Sequence, residues 1–154
     1  MASKKTEAAE LLTEIVLLVF RLDAGVLDAA EAIAAPAGLT AARWKVLGAV
    51  LEEPRTVAEI GRNMGLARQS VQRLADVLVG ERLAAFHENP AHRSAKLLAP
   101  TAAGRAAIAR LSARQSTWAN TVSKGLSPRQ LRECKATLLD LITRVEAAEP
   151  PSAT

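Results

Sequence analysis

Residues 56–80 read TVAEIGRNMGLARQSVQRLADVLVG, and the fold turns on how this stretch is read. Thr56-Val57-Ala58-Glu59 spells a capping box, in which a Thr hydroxyl and a Glu carboxylate satisfy the first free N–H groups of a helix. That helix is short, carries Ile60 and ends near Met64-Gly65. A second helix is expected from about Ala67 to Gly80, with Val71, Leu74, Val77 and Leu78 turned inward. Two short helices joined by a tight turn make a helix-turn-helix, the first bracing the second.

Downstream of Gly80 the helical period is lost. Leu83–Glu88 and Ala95–Leu98 are strand candidates around a turn built on Asn89-Pro90, a hairpin with a polar, basic tip. Upstream, Thr40 can cap a helix running to about Glu52, with Trp44, Val46, Leu47 and Val50 as its apolar set and Pro54 as its stop. Further out lie long helices. One is expected from about Thr6 to Ala35, weakened only by Gly25 and ended by Pro36-Ala37-Gly38, with Leu11, Leu12, Ile15, Leu18, Val19 and Leu22 as its stripe. Another is expected from a Thr101 cap toward Lys124, interrupted only by Gly104. A last helix opens on a second capping box, Ser127-Pro128-Arg129-Gln130, and carries Leu131, Leu138, Leu139, Ile142 and Val145. Residues 148–154 are expected to fray. The expected fold is mainly α with a small β-hairpin wing: one domain over 1–154, with a winged helix-turn-helix at about 40–100 and long terminal helices at about 6–36 and 101–147.

Composition agrees with this reading. Apolar residues make up 49%, and aromatics only 3% with no Tyr, which favours helices over a β-sandwich. The net charge is +4, and residues 40–100 carry nine Lys and Arg against six Asp and Glu, so 9 − 6 = +3 of it lies where the helix-turn-helix falls. The single Cys134 rules out an intramolecular disulfide and suits a reducing, cytoplasmic setting; it is expected to be a small structural residue. The apolar run Ile15–Phe20 is far too short to span a membrane, and its acidic flank is wrong for a secretion signal.

The second helix of the motif would enter the major groove of DNA. Its exposed N-terminal half offers Arg68, Gln69, Ser70, Gln72 and Arg73. Arg can fork onto guanine and Gln can pair with adenine, while Ser and the N–H groups at the helix start suit phosphates. Such side chains also decorate ordinary solvated helices. The capped first helix and the adjoining hairpin are what tilt this face toward DNA.

In order and spacing the chain resembles the multiple antibiotic resistance regulator (MarR) family over nearly its whole length. The matching pieces are Leu39-Thr40, Trp44-Lys45-Val46-Leu47, Val57-Ala58-Glu59-Ile60, residues 71–78, Asn89-Pro90 and Thr101-Ala102-Ala103-Gly104-Arg105. The resemblance implies a transcription regulator, most often a repressor, that binds a pseudo-palindromic operator as a homodimer, its first and last two helices interlocked with those of a second copy. The wing departs from the family pattern. Where the family has Asp, any residue, Arg, this chain has His92-Arg93-Ser94, so Arg93 is the candidate for the minor-groove contact, with His92 beside it. The resemblance also implies a small lipophilic or aromatic effector bound where the terminal helices meet the winged segment, with Trp44, Leu18, Leu22 and Leu111 as candidate walls.

Other chemistries find little support. His87 and His92 have no third ligand at suitable spacing, so no metal or cofactor is expected. No nucleophile–base pair, phosphate loop or paired acid–base carboxylates suggest an enzyme. The alternative to a specific regulator is a protein with weak or nonspecific DNA binding that acts through protein contacts or DNA architecture, and Ser94 at the wing gives it weight.

Overall fold

The computed structural model describes residues 4–148. Its element order is α1 (Glu7–Ala34), a short 3₁₀ turn (Ala35–Ala37), α2 (Ala41–Gly48), β1 (Arg55–Thr56), α3 (Val57–Met64), α4 (Arg68–Gly80), β2 (Ala84–His87), β3 (Leu97–Pro100), α5 (Ala102–Val122) and α6 (Pro128–Ala147). The chain divides into two compact units, with the division between Gln115 and Ser116. The segment expected to fray lies, beyond Ala148, outside the described residues.

In the first unit Val46 and Leu47 of α2, Ile60 of α3, Val71 and Leu78 of α4, Leu98 of β3 and Leu111 of α5 are fully buried around one core. Each such side chain stabilises the fold by roughly 1.5–3 kcal/mol on transfer from water. Among the described residues no polar or charged residue is buried. Arg43 of α2 pairs with Glu81 at the end of α4, and Arg105 Nη1 of α5 donates to the Leu51 carbonyl at 2.9 Å.

Three expectations change. The helix from Thr40 stops at Gly48, not Glu52, because the chain turns there: Val50 N–H reaches Leu47 O and Leu51 N–H reaches Gly48 O, both at 3.3 Å, which carries Val50 into the core. In α4, Val77 is 47% exposed and the small Ala75 is buried instead, since Val71, Ala75 and Leu78 share the inward face while Val77 lies a full helical step beside Leu78. The hairpin gains a third strand. β1, only Arg55-Thr56, pairs antiparallel with Leu97 and Leu98, so the sheet order is β1-β3-β2. β2 pairs with β3 in the register Ala84↔Pro100 to His87↔Leu97.

In the second unit, Ser127 caps α6 through the Gln130 N–H at 3.2 Å, and the Gln130 side chain accepts the Ser127 N–H at 2.9 Å. Leu131, Leu138, Ile142 and Val145 of α6 are exposed, as is Cys134. No helix of the described residues is long and apolar enough to cross a membrane.

Candidate nucleic-acid interface

Local chemistry sets the helix-turn-helix. The Thr56 N–H donates to Glu59 Oε2 at 2.7 Å and the Glu59 N–H donates to Thr56 Oγ1 at 3.2 Å, which completes the capping box. These bonds, the backbone N–H first and then the Thr56 hydroxyl at 2.8 Å, hold the Glu59 carboxyl below the usual carboxylate range. α3 ends on Gly65, which takes the left-handed conformation (φ 62°), and the Leu66 N–H returns to Gly61 O at 2.9 Å. Gly61 is equally required: a Cβ there would stand 2.8 Å from the Leu66 carbonyl oxygen, closer than the turn allows.

The start of α4 is chemically distinct. Hydroxyl side chains cap α1 (Thr6), α2 (Thr40), α3 (Thr56), α5 (Thr101) and α6 (Ser127), whereas α4 begins after Ala67 with no side-chain cap. Its first N–H groups lie at the positive end of the helix dipole and suit an anion.

Arg68, Gln69, Gln72 and Arg73 of α4 are exposed and Ser70 is half-buried. Val71, Ala75 and Leu78 hold the opposite face on the core. The wing tip is built by local hydrogen bonds: Asn89 Oδ1 accepts from Ala91 N–H at 3.0 Å, the His92 N–H donates to Asn89 O at 3.2 Å, and the Ala95 N–H donates to His92 O at 3.1 Å. His92, Arg93 and Ser94 are thereby presented to solvent.

The fold joins these parts around two clefts. A groove of about 330 Å³ is lined by Arg68 and Gln72 of α4, by Thr56–Ala58 at the start of α3, by Phe86 of β2, and by Ser94, Ala95 and Lys96 of the wing. A wing cleft of about 660 Å³ is lined by Glu88, Asn89, Pro90, Arg93 and Lys96. Gln69, Ser70, Arg73 and His92 stand outside both linings. Lys96 borders both clefts and was not singled out from the sequence. Its only signal there is a cation immediately before the apolar pair Leu97-Leu98. Arg62, beside Arg68 in a third cleft at the turn, was likewise missed.

Arg43, Arg55, Arg129 and Arg144 are in ion pairs. Arg62, Arg68, Arg73, Arg93 and Lys96 are in none among the described residues, and with Glu88 in the wing cleft and Asp76 on α4 as the nearby acids, α4, the turn and the wing share a net positive surface. Such a surface attracts phosphates, and the donors of α4 can meet base edges. Among the described residues no three His, Cys, Asp or Glu gather to hold a metal ion.

The candidate pocket residues have different fates. Trp44 is half-buried on α2, Leu111 lies in the core, and Leu18 and Leu22 are each 62% exposed on α1.

The model of the MarR family matches residues 37–93, which take in α2, the helix-turn-helix and the start of the wing. The chain belongs to the MarR family. A MarR-family transcriptional regulator from Rhodococcus sp. RHA1 is similar over 85% of this chain and 94% of its own, at 25% identity and a TM-score of 0.72. The uncharacterized protein Rv2011c of Mycobacterium tuberculosis is 32% identical over 139 residues, 90% of this chain and 97% of its own. CouR from Rhodococcus jostii RHA1, bound to p-coumaroyl-CoA, matches with a TM-score of 0.74 at 25% identity, over 82% of this chain and 90% of its own. CouR as a transcriptional repressor bound to a 23-mer DNA duplex matches with a TM-score of 0.68 at 26% identity, over 91% and 99%. MarR proteins are transcription regulators and not enzymes, and this chain has their winged-helix fold.

Proposed function

We propose that this MarR-family protein is a cytoplasmic, homodimeric repressor that binds a pseudo-palindromic operator and is released by a small lipophilic or aromatic effector. The observation that carries the DNA-binding part is the net positive surface shared by the uncapped start of α4 and the wing. Arg68, Gln69, Gln72 and Arg73 would read bases, Ser70 and the free N–H groups would take phosphate, and Arg93 with His92 and Lys96 would hold the flanking backbone or minor groove.

The homodimer rests on unpartnered apolar surface. α1 exposes Leu11, Ile15, Leu18 and Leu22 at helical spacing, and α6 exposes Leu131, Leu138, Ile142 and Val145. Neither stripe has a reason to face water, and a second copy related by a two-fold axis supplies the same stripes in return. The alternative of an intramolecular bundle is disfavoured because the winged segment separates these helices along the chain and is itself too small to cover them. Repression and effector release are supported by CouR, a repressor that binds an aromatic acyl-CoA. In this chain Leu18 and Leu22 are exposed while Leu111 is in the core, so a pocket using them and Trp44 would need the second copy to close it.

The test is fluorescence anisotropy against the DNA upstream of the chain's own coding region and against scrambled DNA, across a salt series. A specific regulator shows a large affinity ratio on top of a shared salt slope, because each mismatched base pair costs roughly 1–3 kcal/mol. Equal affinity for both duplexes would favour the architectural reading.

A further inference from the structure

The outward face of α4 carries one acidic residue, Asp76, on a surface otherwise suited to phosphate. Asp76 lies three residues after Arg73, an ordinary spacing for an ion pair, yet among the described residues it pairs with no cation. Its Oδ1 accepts from Gln72 Nε2 at 2.9 Å. An ionised carboxylate only accepts, so the Gln72 amide must turn its NH₂ toward Asp76. This leaves Oε1 and the second amide hydrogen of Gln72 for the groove that Gln72 lines with Arg68. An acceptor beside a donor is the order that matches N6–H and N7 of adenine. The opposite presentation, NH₂ outward to guanine O6, would break the bond to Asp76.

We propose that Asp76 is a positioning residue that fixes Gln72 in its adenine-reading orientation, making an adenine preference within each half-site depend on a side chain that touches no base. An acid on a DNA-facing helix then has a reason: it repels phosphate modestly and fixes the one ambiguous donor–acceptor group beside it. This rests on α4 being the recognition helix.

The test starts by selecting binders from a randomised DNA duplex library with the full chain, followed by competition binding on duplexes carrying single A·T to G·C exchanges. Wild type should prefer adenine to guanine at one position per half-site by about tenfold or more, and Gln72→Ala should abolish that preference. Asp76→Asn can accept or donate, so Gln72 regains both orientations, and the ratio should fall by at least about twofold at that position alone. Asp76→Glu, still acceptor-only, should return most of it. A purely electrostatic Asp76 predicts instead that Asp76→Asn tightens binding to every duplex equally and leaves the ratio intact, which would overturn the inference, as would a ratio indifferent to Gln72→Ala. If wild type selects no consensus, sequence-specific regulation itself fails, an outcome distinct from either of these.

Discussion

Gly104→Ala puts the fold of the winged unit to a quantitative test. Gly104 is buried in the first turn of α5, and a Cβ built there would lie 2.0 Å from the Leu83 carbonyl oxygen, 3.0 Å from the Leu83 carbonyl carbon and 3.3 Å from Leu47 Cδ1. Carbon–oxygen contacts in proteins settle near about 3.3 Å, so α5 and the Leu83 backbone must part by roughly 1.3 Å. The same oxygen accepts the Thr101 N–H at 3.0 Å, and a movement of that size breaks the bond. Overpacking costs about 1–3 kcal/mol and a stranded backbone group a further 1–3, while the helix gains at most about 1 kcal/mol from Ala over Gly. The net expectation is a loss of about 2–4 kcal/mol, or roughly 5–15 °C in Tm for a chain of this size. Thermal and urea melts followed by circular dichroism would be run at one protein concentration, because dimerisation makes Tm concentration-dependent. Gly80→Ala is the control: Gly80 ends α4, a Cβ there meets nothing within 4 Å, and the variant should be unchanged or up to about 1 kcal/mol more stable. Gly104→Ala melting with wild type would show that the contact between α5 and Leu83 is not as close as described.

Arg73→Ala should abolish preference for the selected operator while leaving the dimer intact; unchanged specificity would mean that the reading helix is not α4. Arg93→Ala should weaken binding to all duplexes by a modest factor, Arg93→Ala/Lys96→Ala by more, and each should lower the slope of log K against log salt by about 0.9 per lost phosphate contact; a slope identical to wild type would make the wing idle. Deleting residues 1–20 removes Leu11 to Phe20 from the exposed face of α1 and should lower dimer stability in size-exclusion chromatography with light scattering, whereas an undiminished dimer would place the interface elsewhere. The Glu59 carboxyl is lowered in the fold, so its stabilisation is present above the ordinary carboxylate range near pH 4.5 and is lost as pH falls through the folded value. Glu59→Gln keeps an acceptor for the Thr56 N–H without the charge, so urea midpoints of the two proteins should differ at pH 7 and converge toward pH 3. A constant gap would contradict the assigned cause.

What could be read without the fold was whatever local chemistry decides alone. The Thr56–Glu59 box, the glycine after Met64 and the Ser127–Gln130 box each close hydrogen bonds within a few residues, and each forms where the pattern predicts. Features decided by a distant partner were not legible. Arg55-Thr56 is too short to show alternation and becomes a strand only because Leu97 and Leu98 present an open edge. Val77 and Ala75 exchange roles because a small residue is what the close packing of α4 accepts at that seat, and apolarity alone cannot express that.

Gly104 shows the same limit most sharply. Read locally, a glycine inside a helix is a weak point, since Gly costs about 1 kcal/mol relative to Ala there. Read with Leu83 in place, it is the position that lets α5 close onto the chain just before β2, with Thr101 bonding the same carbonyl and its hydroxyl reaching Arg82 O at 2.7 Å. β2 and β3 carry the wing between exactly these two anchors, Leu83 at one end and Thr101 at the other, so the missing side chain holds both strand ends together. Lys96 acquires meaning by the same route: an isolated cation in the sequence, it borders the Arg68 groove only because the anchored hairpin folds back beside α4. The cationic surface proposed to meet DNA therefore depends on a glycine that touches no DNA, and loosening that contact should dull the wing before it unfolds the core.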